Sequence, residues 1–272
     1  MSGAGKARIA ALVNQKGGVG KSVSTLCLAR AAAVYHAARV LVVDMDPQGN
    51  TTSTLVREPL AGDAITLADT IVPGTDVALR EVITPSIWDG VDLAPGGETL
   101  AAAEAKISAA NFGREHRLRE ALTSVLDDYD LVLIDNAPAL GLLLINALTT
   151  ADVAVLVTEA DRWSADGLAL LGRTIAGVRT YHNARLEIVG TIVNKWRGTA
   201  AERRTVEDLT TGMERHFPGV PIWMDHRVPL WVDIKNTLDA GLGLDQGPSK
   251  LRVLGTDVFA PISAQLLDRG AA

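Results

Sequence analysis

Short runs of valine, isoleucine and leucine alternate along this chain with longer stretches in which apolar side chains return every three or four positions. The runs lack polar alternation, so they read as strands covered on both faces, and the stretches between them read as amphipathic helices. Strands are predicted at residues 8–13, 40–43, 91–94, 131–134, 153–157, 188–193 and 220–222, and helices at 21–35, 114–126, 142–148, 165–181, 200–216 and 255–267. That alternation is the sequence form of an α/β fold with a doubly wound, mostly parallel sheet flanked by helices. Residues 56–90 and 229–250 are broken up by Pro, Gly and Asp and are expected on the rim of a single domain with a core of about 7–267. Ligands bind such sheets beyond the carboxyl ends of the strands. Chemistry is therefore expected in the loops after Val13, Val43, Ile134 and Val193.

The first of these loops reads Asn14-Gln15-Lys16-Gly17-Gly18-Val19-Gly20-Lys21-Ser22 and opens a helix that runs through Val23. Glycines admit positive φ and let backbone N–H groups close on phosphate oxygens, and the helix N-terminus adds its dipole. Lys21 is placed to reach the β and γ phosphates, and the Ser22 hydroxyl to ligate Mg²⁺. The usual phosphate loop has a glycine five residues before Gly20; here that position is Gln15, and an extra lysine, Lys16, follows it.

The second strand runs into Asp44-Met45-Asp46-Pro47-Gln48-Gly49-Asn50. Asp44, at the strand's end, is a candidate to orient the attacking water or take its proton. Asp46 either lies within reach of Mg²⁺ or, with Asn50, caps the turn that Pro47 and Gly49 impose. The strand at 131–134 delivers Asp135, which reads as a metal-holding carboxylate once paired with a phosphate loop and as a turn or helix cap on its own. Asn194, after the sixth run, can offer donor and acceptor to an adenine edge, or stabilise its own turn.

Lys16-Gly17-Gly18-Val19-Gly20-Lys21-Ser22 resembles the deviant Walker A box of the ParA/MinD ATPases, a group of P-loop NTPases, and Asp44-Met45-Asp46-Pro47-Gln48-Gly49-Asn50 resembles that family's second box. The resemblance implies an ATP-bound sandwich homodimer in which Lys16 reaches the phosphates of the other subunit, and it assigns Asp44 to hydrolysis. It also implies ATP and Mg²⁺ as cofactors and non-specific DNA as a partner, with hydrolysis stimulated by a ParB-like centromere-binding protein. The loop after Asp135 departs from the family, since Asn136-Ala137-Pro138 keeps only one of two prolines. Residues 223–235 depart further, so DNA and partner contacts transfer least there.

Composition tests this reading. The chain has 272 residues, 47% hydrophobic and 21% charged, with a formal charge of −6, which argues against nucleic acid at first sight. Residues 1–150 hold 12 basic and 17 acidic side chains, whereas 151–272 hold 14 and 15, so the carboxyl-terminal half is almost neutral. Arg197, Arg203, Arg204, Arg227, Lys235, Lys250 and Arg252 are the DNA candidates there, although a solvated helix face explains Arg203 and Arg204 equally well. Trp163, Trp196, Trp223 and Trp231 share that half and are expected in the core or at the dimer seam. A single cysteine, Cys27, excludes an internal disulfide and a thiolate metal cluster. No apolar run approaches the roughly 20 residues of a membrane helix, and no signal peptide or amino-terminal helix-turn-helix is expected. A cytoplasmic, nucleoid-associated partition ATPase with no stable membrane association is the resulting expectation. The alternatives are positioning of a non-DNA cargo, a MinD-like regulator of the division site, for which the near-neutral tail is poorly suited, and a metabolic phosphate-loop enzyme.

Overall fold

The aliphatic runs pair into one seven-stranded sheet. In the computed structural model, which describes residues 6–159 and 165–269, the strands are β1 (Arg8–Val13), β2 (Val40–Met45), β3 (Thr84–Pro85), β4 (Val91–Ala94), β5 (Leu131–Asn136), β6 (Val153–Glu159) and β7 (Glu187–Asn194). Their order is β3-β4-β2-β5-β1-β6-β7. Only the β3–β4 pair at the edge is antiparallel. Alternate residues feed two cores. Ile9, Ala11, Val43, Ile134 and Leu156 face one side, packed by Thr99–Ser108, Leu142–Thr150, Ala165–Tyr181 and Ala200–His216. Ala10, Leu12, Val42, Leu133 and Val155 face the other, under Lys21–His36, Val232–Asp239 and the carboxyl-terminal helix. Because β1, β2 and β5 are parallel neighbours, the loops that leave their carboxyl ends emerge side by side.

Three expectations need correction. Residues 220–222 form no strand: Ile222 makes an isolated bridge to Thr191, whose N–H donates to the Pro221 carbonyl at 2.9 Å. Pro221 has no N–H with which to extend the ladder. The seventh strand is instead the two-residue β3, too short to leave a periodic trace. The helix expected at 114–126 is only Arg117–Leu122 followed by a 3₁₀ turn at Leu126–Asp128. Gly113 at φ 68° turns the chain before it, and Asn146 from the facing helix accepts from the Leu118 N–H and donates to the Arg114 carbonyl.

The last helix starts earlier than expected, at Ser249–Leu254, and passes through a π turn, Gly255–Phe259, into Ala260–Leu267. Pro261 cannot donate to the Asp257 carbonyl one turn back. A His226 ring nitrogen meets that carbonyl instead, at 2.9 Å. Of the tryptophans, Trp223 is buried against Gly190, Trp196 is half-buried, Trp231 is exposed, and Trp163 lies outside the described residues.

Candidate nucleotide site

The phosphate loop is a turn that only glycine accommodates. Gly18 and Gly20 take φ 77° and 93°, a region costly for residues with a Cβ. At Gly20 an added Cβ would sit 1.9 Å from Asn194 Nδ2, so a side chain there would also have to displace the Asn194 amide. Asn14 anchors the start of the loop: its Nδ2 donates to the Val157 carbonyl at 2.7 Å and its Oδ1 accepts from the Lys16 N–H at 2.9 Å. Lys21 opens the helix Lys21–His36 with a buried side chain, and its Nζ donates to the Lys16 carbonyl at 3.3 Å. Burial lowers the Lys21 pKa, while Asp135 and Asp46 push it back up.

Register brings the carboxylates together. Asp44 on β2 lies directly opposite Asp135 on β5, and both are fully buried. Asp44 Oδ2 accepts from the Thr52 N–H at 2.8 Å and the Thr52 hydroxyl at 2.7 Å, and Oδ1 accepts from the Asp46 N–H at 3.1 Å. Burial and then the Asp135 charge still push the Asp44 carboxyl well above the ordinary range. Asp135 is raised chiefly by burial, against the Ser22 and Thr51 hydroxyls and the Lys21 charge that favour its ionised form. The Thr51 hydroxyl donates to Asp135 Oδ2 at 2.6 Å. Asp135 Oδ1 is buried with no hydrogen-bond partner among the described residues. Asp46 Oδ1 accepts from the Gln48 N–H at 2.9 Å, so it caps its turn while also lining the cavity over the phosphate loop.

A cavity of about 740 Å³ opens over this loop. Gly17, Gly18, Gly20, Lys21, Ser22 and Val23 form its floor with Asp46, Asn194 and Lys195. Leu26, Leu230, Trp231 and Ile234 give it an apolar wall. Val19 is buried beneath the loop, and Asp44 lies behind Thr52 rather than among the residues that line the cavity. Glycine N–H groups, a buried lysine and an apolar wall suit a nucleoside triphosphate. Mg²⁺ takes oxygen ligands and keeps several waters, and the Ser22 hydroxyl, Asp46 and the orphaned Asp135 Oδ1 offer such a donor set. A cation there would also resolve the unpartnered oxygen.

Asn194 lines the cavity, but its amide is engaged at both ends: Nδ2 donates to the Val19 carbonyl at 2.9 Å and Oδ1 accepts from the Lys195 N–H at 2.8 Å. The basic candidates separate into two groups. Arg197 pairs with Glu202, Arg203 and Arg204 stand exposed near the start of Ala200–His216, and Arg227 lies 5.6 Å over the Trp196 ring. Lys235 pairs with Asp239, Lys250 pairs with Asp233 and lies 5.1 Å over Trp231, and Arg252 donates to the Gly247 carbonyl at 2.9 Å.

Sequence reasoning missed Thr51 and Thr52, which grip the two carboxylates, and Gly96, whose N–H donates to the Thr52 hydroxyl at 2.9 Å. A Cβ on Gly96 would lie 2.1 Å from the Asp44 carbonyl, so the Gly96-Gly97 pair after β4 was the available signal. Lys195 and the apolar wall around Trp231 were missed too.

A family profile described as an AAA domain matches residues 7–188. An uncharacterized protein of Mycobacterium tuberculosis is 40% identical over 202 residues, which cover 74% of this chain but only 62% of that protein. This chain therefore spans less than two thirds of the length of that relative. The chromosome partitioning protein ParA of Caulobacter vibrioides is 35% identical over 224 residues, covering 77% of this chain and 76% of ParA. Among solved structures, cobyrinic acid a,c-diamide synthase from Mycobacterium smegmatis with bound ATP analog and magnesium superposes with a TM-score of 0.69 at 31% identity, over 75% of this chain and 82% of that one. The McdA–ATP complex from Cyanothece reaches a TM-score of 0.82 over 98% and 99% of the two chains; at 19% identity this is a likeness of fold alone. A profile over more than half of the chain and 35% identity to ParA over three quarters of both chains agree with the site: the chain belongs to the ParA/MinD-type phosphate-loop ATPases.

Proposed function

We propose that this chain binds ATP with Mg²⁺ in the cavity over the phosphate loop and hydrolyses it within a partition or positioning cycle. The observation that carries the reading is the buried, orphaned Asp135 Oδ1 set among Lys21, Ser22 and Asp46 beneath a glycine turn. Lys21 trades the Lys16 carbonyl for phosphate oxygens, and Ser22, Asp46 and Asp135 hold the cation, whose chemistry is to neutralise charge on the transferring phosphoryl group. Asp44, with its raised pKa, orients the attacking water or takes its proton once Thr52 yields it. Asn194 meets the base edge through its second amide hydrogen.

Lys16 supports a dimeric cycle. It is half-buried and absent from the residues that line its own cavity, whereas Lys21 is among them, which fits a lysine that serves the nucleotide of a second copy. The dimer then binds DNA non-specifically through the basic residues of the carboxyl-terminal half and leaves it when a ParB-like partner stimulates hydrolysis. Among the described residues no helix is long and apolar enough to cross a membrane. The test is Mg²⁺-dependent ATP hydrolysis with and without non-specific DNA. Wild-type turnover that Asp135→Asn abolishes supports the reading, and wild-type protein that neither binds nor hydrolyses ATP sinks it.

A further inference from the structure

A phosphate loop can aim its N–H groups into the cavity only if its carbonyls point outward, and those carbonyls then need donors. Among the described residues, three carbonyls of this loop have side-chain donors. Lys21 Nζ serves Lys16, Lys195 Nζ serves Gly18, and Asn194 Nδ2 serves Val19. Lys21 leaves its carbonyl when it turns to phosphate, so the two consecutive residues at the end of β7 are the donors that stay.

Lys195 is built for this task at a cost. Its φ of 55° lies in the left-handed region, which a lysine adopts rarely, and the backbone is held there by its N–H bond to Asn194 Oδ1. The same ammonium pairs with Glu159, a buried carboxylate at the end of β6, which sits opposite Asn194 in register. One cation thus ties the ends of β6 and β7 to the second glycine of the loop, from a position in the cavity floor.

We propose that Lys195 is a positioning residue for nucleotide binding, holding the phosphate loop open for phosphate through the Gly18 carbonyl. This deepens the ATP-binding reading and rests on it. Glycine at 195 keeps the left-handed backbone without strain and removes the ammonium; arginine keeps a charged donor.

The experiment measures Mg²⁺–ADP affinity by calorimetry for wild type, Lys195→Gly and Lys195→Arg, alongside amide hydrogen exchange of the nucleotide-free proteins. Lys195→Gly is expected to bind ADP about tenfold more weakly, the scale of one charge-assisted hydrogen bond, with Lys195→Arg recovering most of the loss. Exchange in the peptide spanning 14–22 should rise in Lys195→Gly while β1 stays protected. Wild-type affinity with unchanged exchange in Lys195→Gly overturns the proposal. Weakened binding with unchanged exchange overturns it too, by making Lys195 a direct phosphate ligand. If wild type itself binds no ADP, the nucleotide reading fails, and the exchange data still decide whether Lys195 braces the loop.

Discussion

At the scale of single residues, the site is governed by two carboxylates that the sheet forces together. Asp44 and Asp135 occupy paired positions on parallel neighbours, so neither can move away without breaking register. Burial raises both carboxyls; the Asp135 charge adds to the rise of Asp44, to about 7 from an ordinary 3.8, and the Asp46 charge to that of Asp135. Between those values the folded, nucleotide-free protein holds a proton that the unfolded chain has released, so the pair's contribution to stability declines as pH rises through that window. Asp44→Asn removes the titration. The stability difference between Asp44→Asn and wild type, from urea denaturation, should therefore shift in favour of the variant from pH 5 to pH 7, by at most about 1.4 kcal/mol per pH unit. A difference that does not vary with pH contradicts the raised pKa. Asp44→Asn should also hydrolyse ATP at least about a hundredfold more slowly while still binding it, since Asp44 stands outside the cavity lining.

At the scale of elements, the phosphate-loop helix is fixed from behind. Arg30 on Lys21–His36 makes a two-pronged pair with Asp245, Nε to Oδ1 at 2.9 Å and an outer nitrogen to Oδ2 at 2.7 Å, with both side chains under a fifth exposed. Asp245→Asn leaves a largely buried guanidinium half-satisfied and should cost about 1–3 kcal/mol in chemical denaturation. Arg30 holds the Asp245 carboxyl below its ordinary pKa, so this stabilisation is present above the unfolded value and fades as pH falls through the folded one. A variant as stable as wild type at pH 7 and at pH 3 would show that the pair contributes nothing. The pair also marks what the sequence could not reveal. Strand 8–13 was legible as an unbroken apolar run, and the helices 165–181 and 200–216 because their apolar positions return with the helical period. The short elements were not: Thr84–Pro85 and Asn50–Leu55 are held by partners distant in sequence, as in the Ile87 N–H bond to the Leu55 carbonyl. The glycine loop and both acids could be read because strand ends place them locally. Thr52 and Lys195 act through contacts that no local pattern encodes, and Gly96 left only the Gly96-Gly97 pair as a trace.

At the scale of the whole molecule, the proposed cycle needs two copies and a surface that holds DNA despite a formal charge of −6. Lys16→Ala should bind ADP within about threefold of wild type yet lose ATP-dependent dimerisation in sedimentation, because the lost charge belongs to the partner's phosphates. Dimers that form as in wild type refute the shared lysine. DNA binding should then follow dimerisation, since each half-neutral surface alone is too weakly basic to compete with salt. Arg203 and Arg204 are the most direct test, being exposed near the start of Ala200–His216, whereas Arg197, Lys235 and Lys250 already face acidic partners. If each arginine meets one phosphate per subunit, replacing both with alanine should reduce the slope of log affinity against log salt by about 3.6 for the dimer, at roughly 0.9 per phosphate. The loss should be uniform across DNA sequences, because phosphate contacts carry no base information. An unchanged slope would return these two arginines to a solvated helix face and move the DNA surface toward Arg227 and the Trp196 loop, where the cation already lies over an aromatic ring.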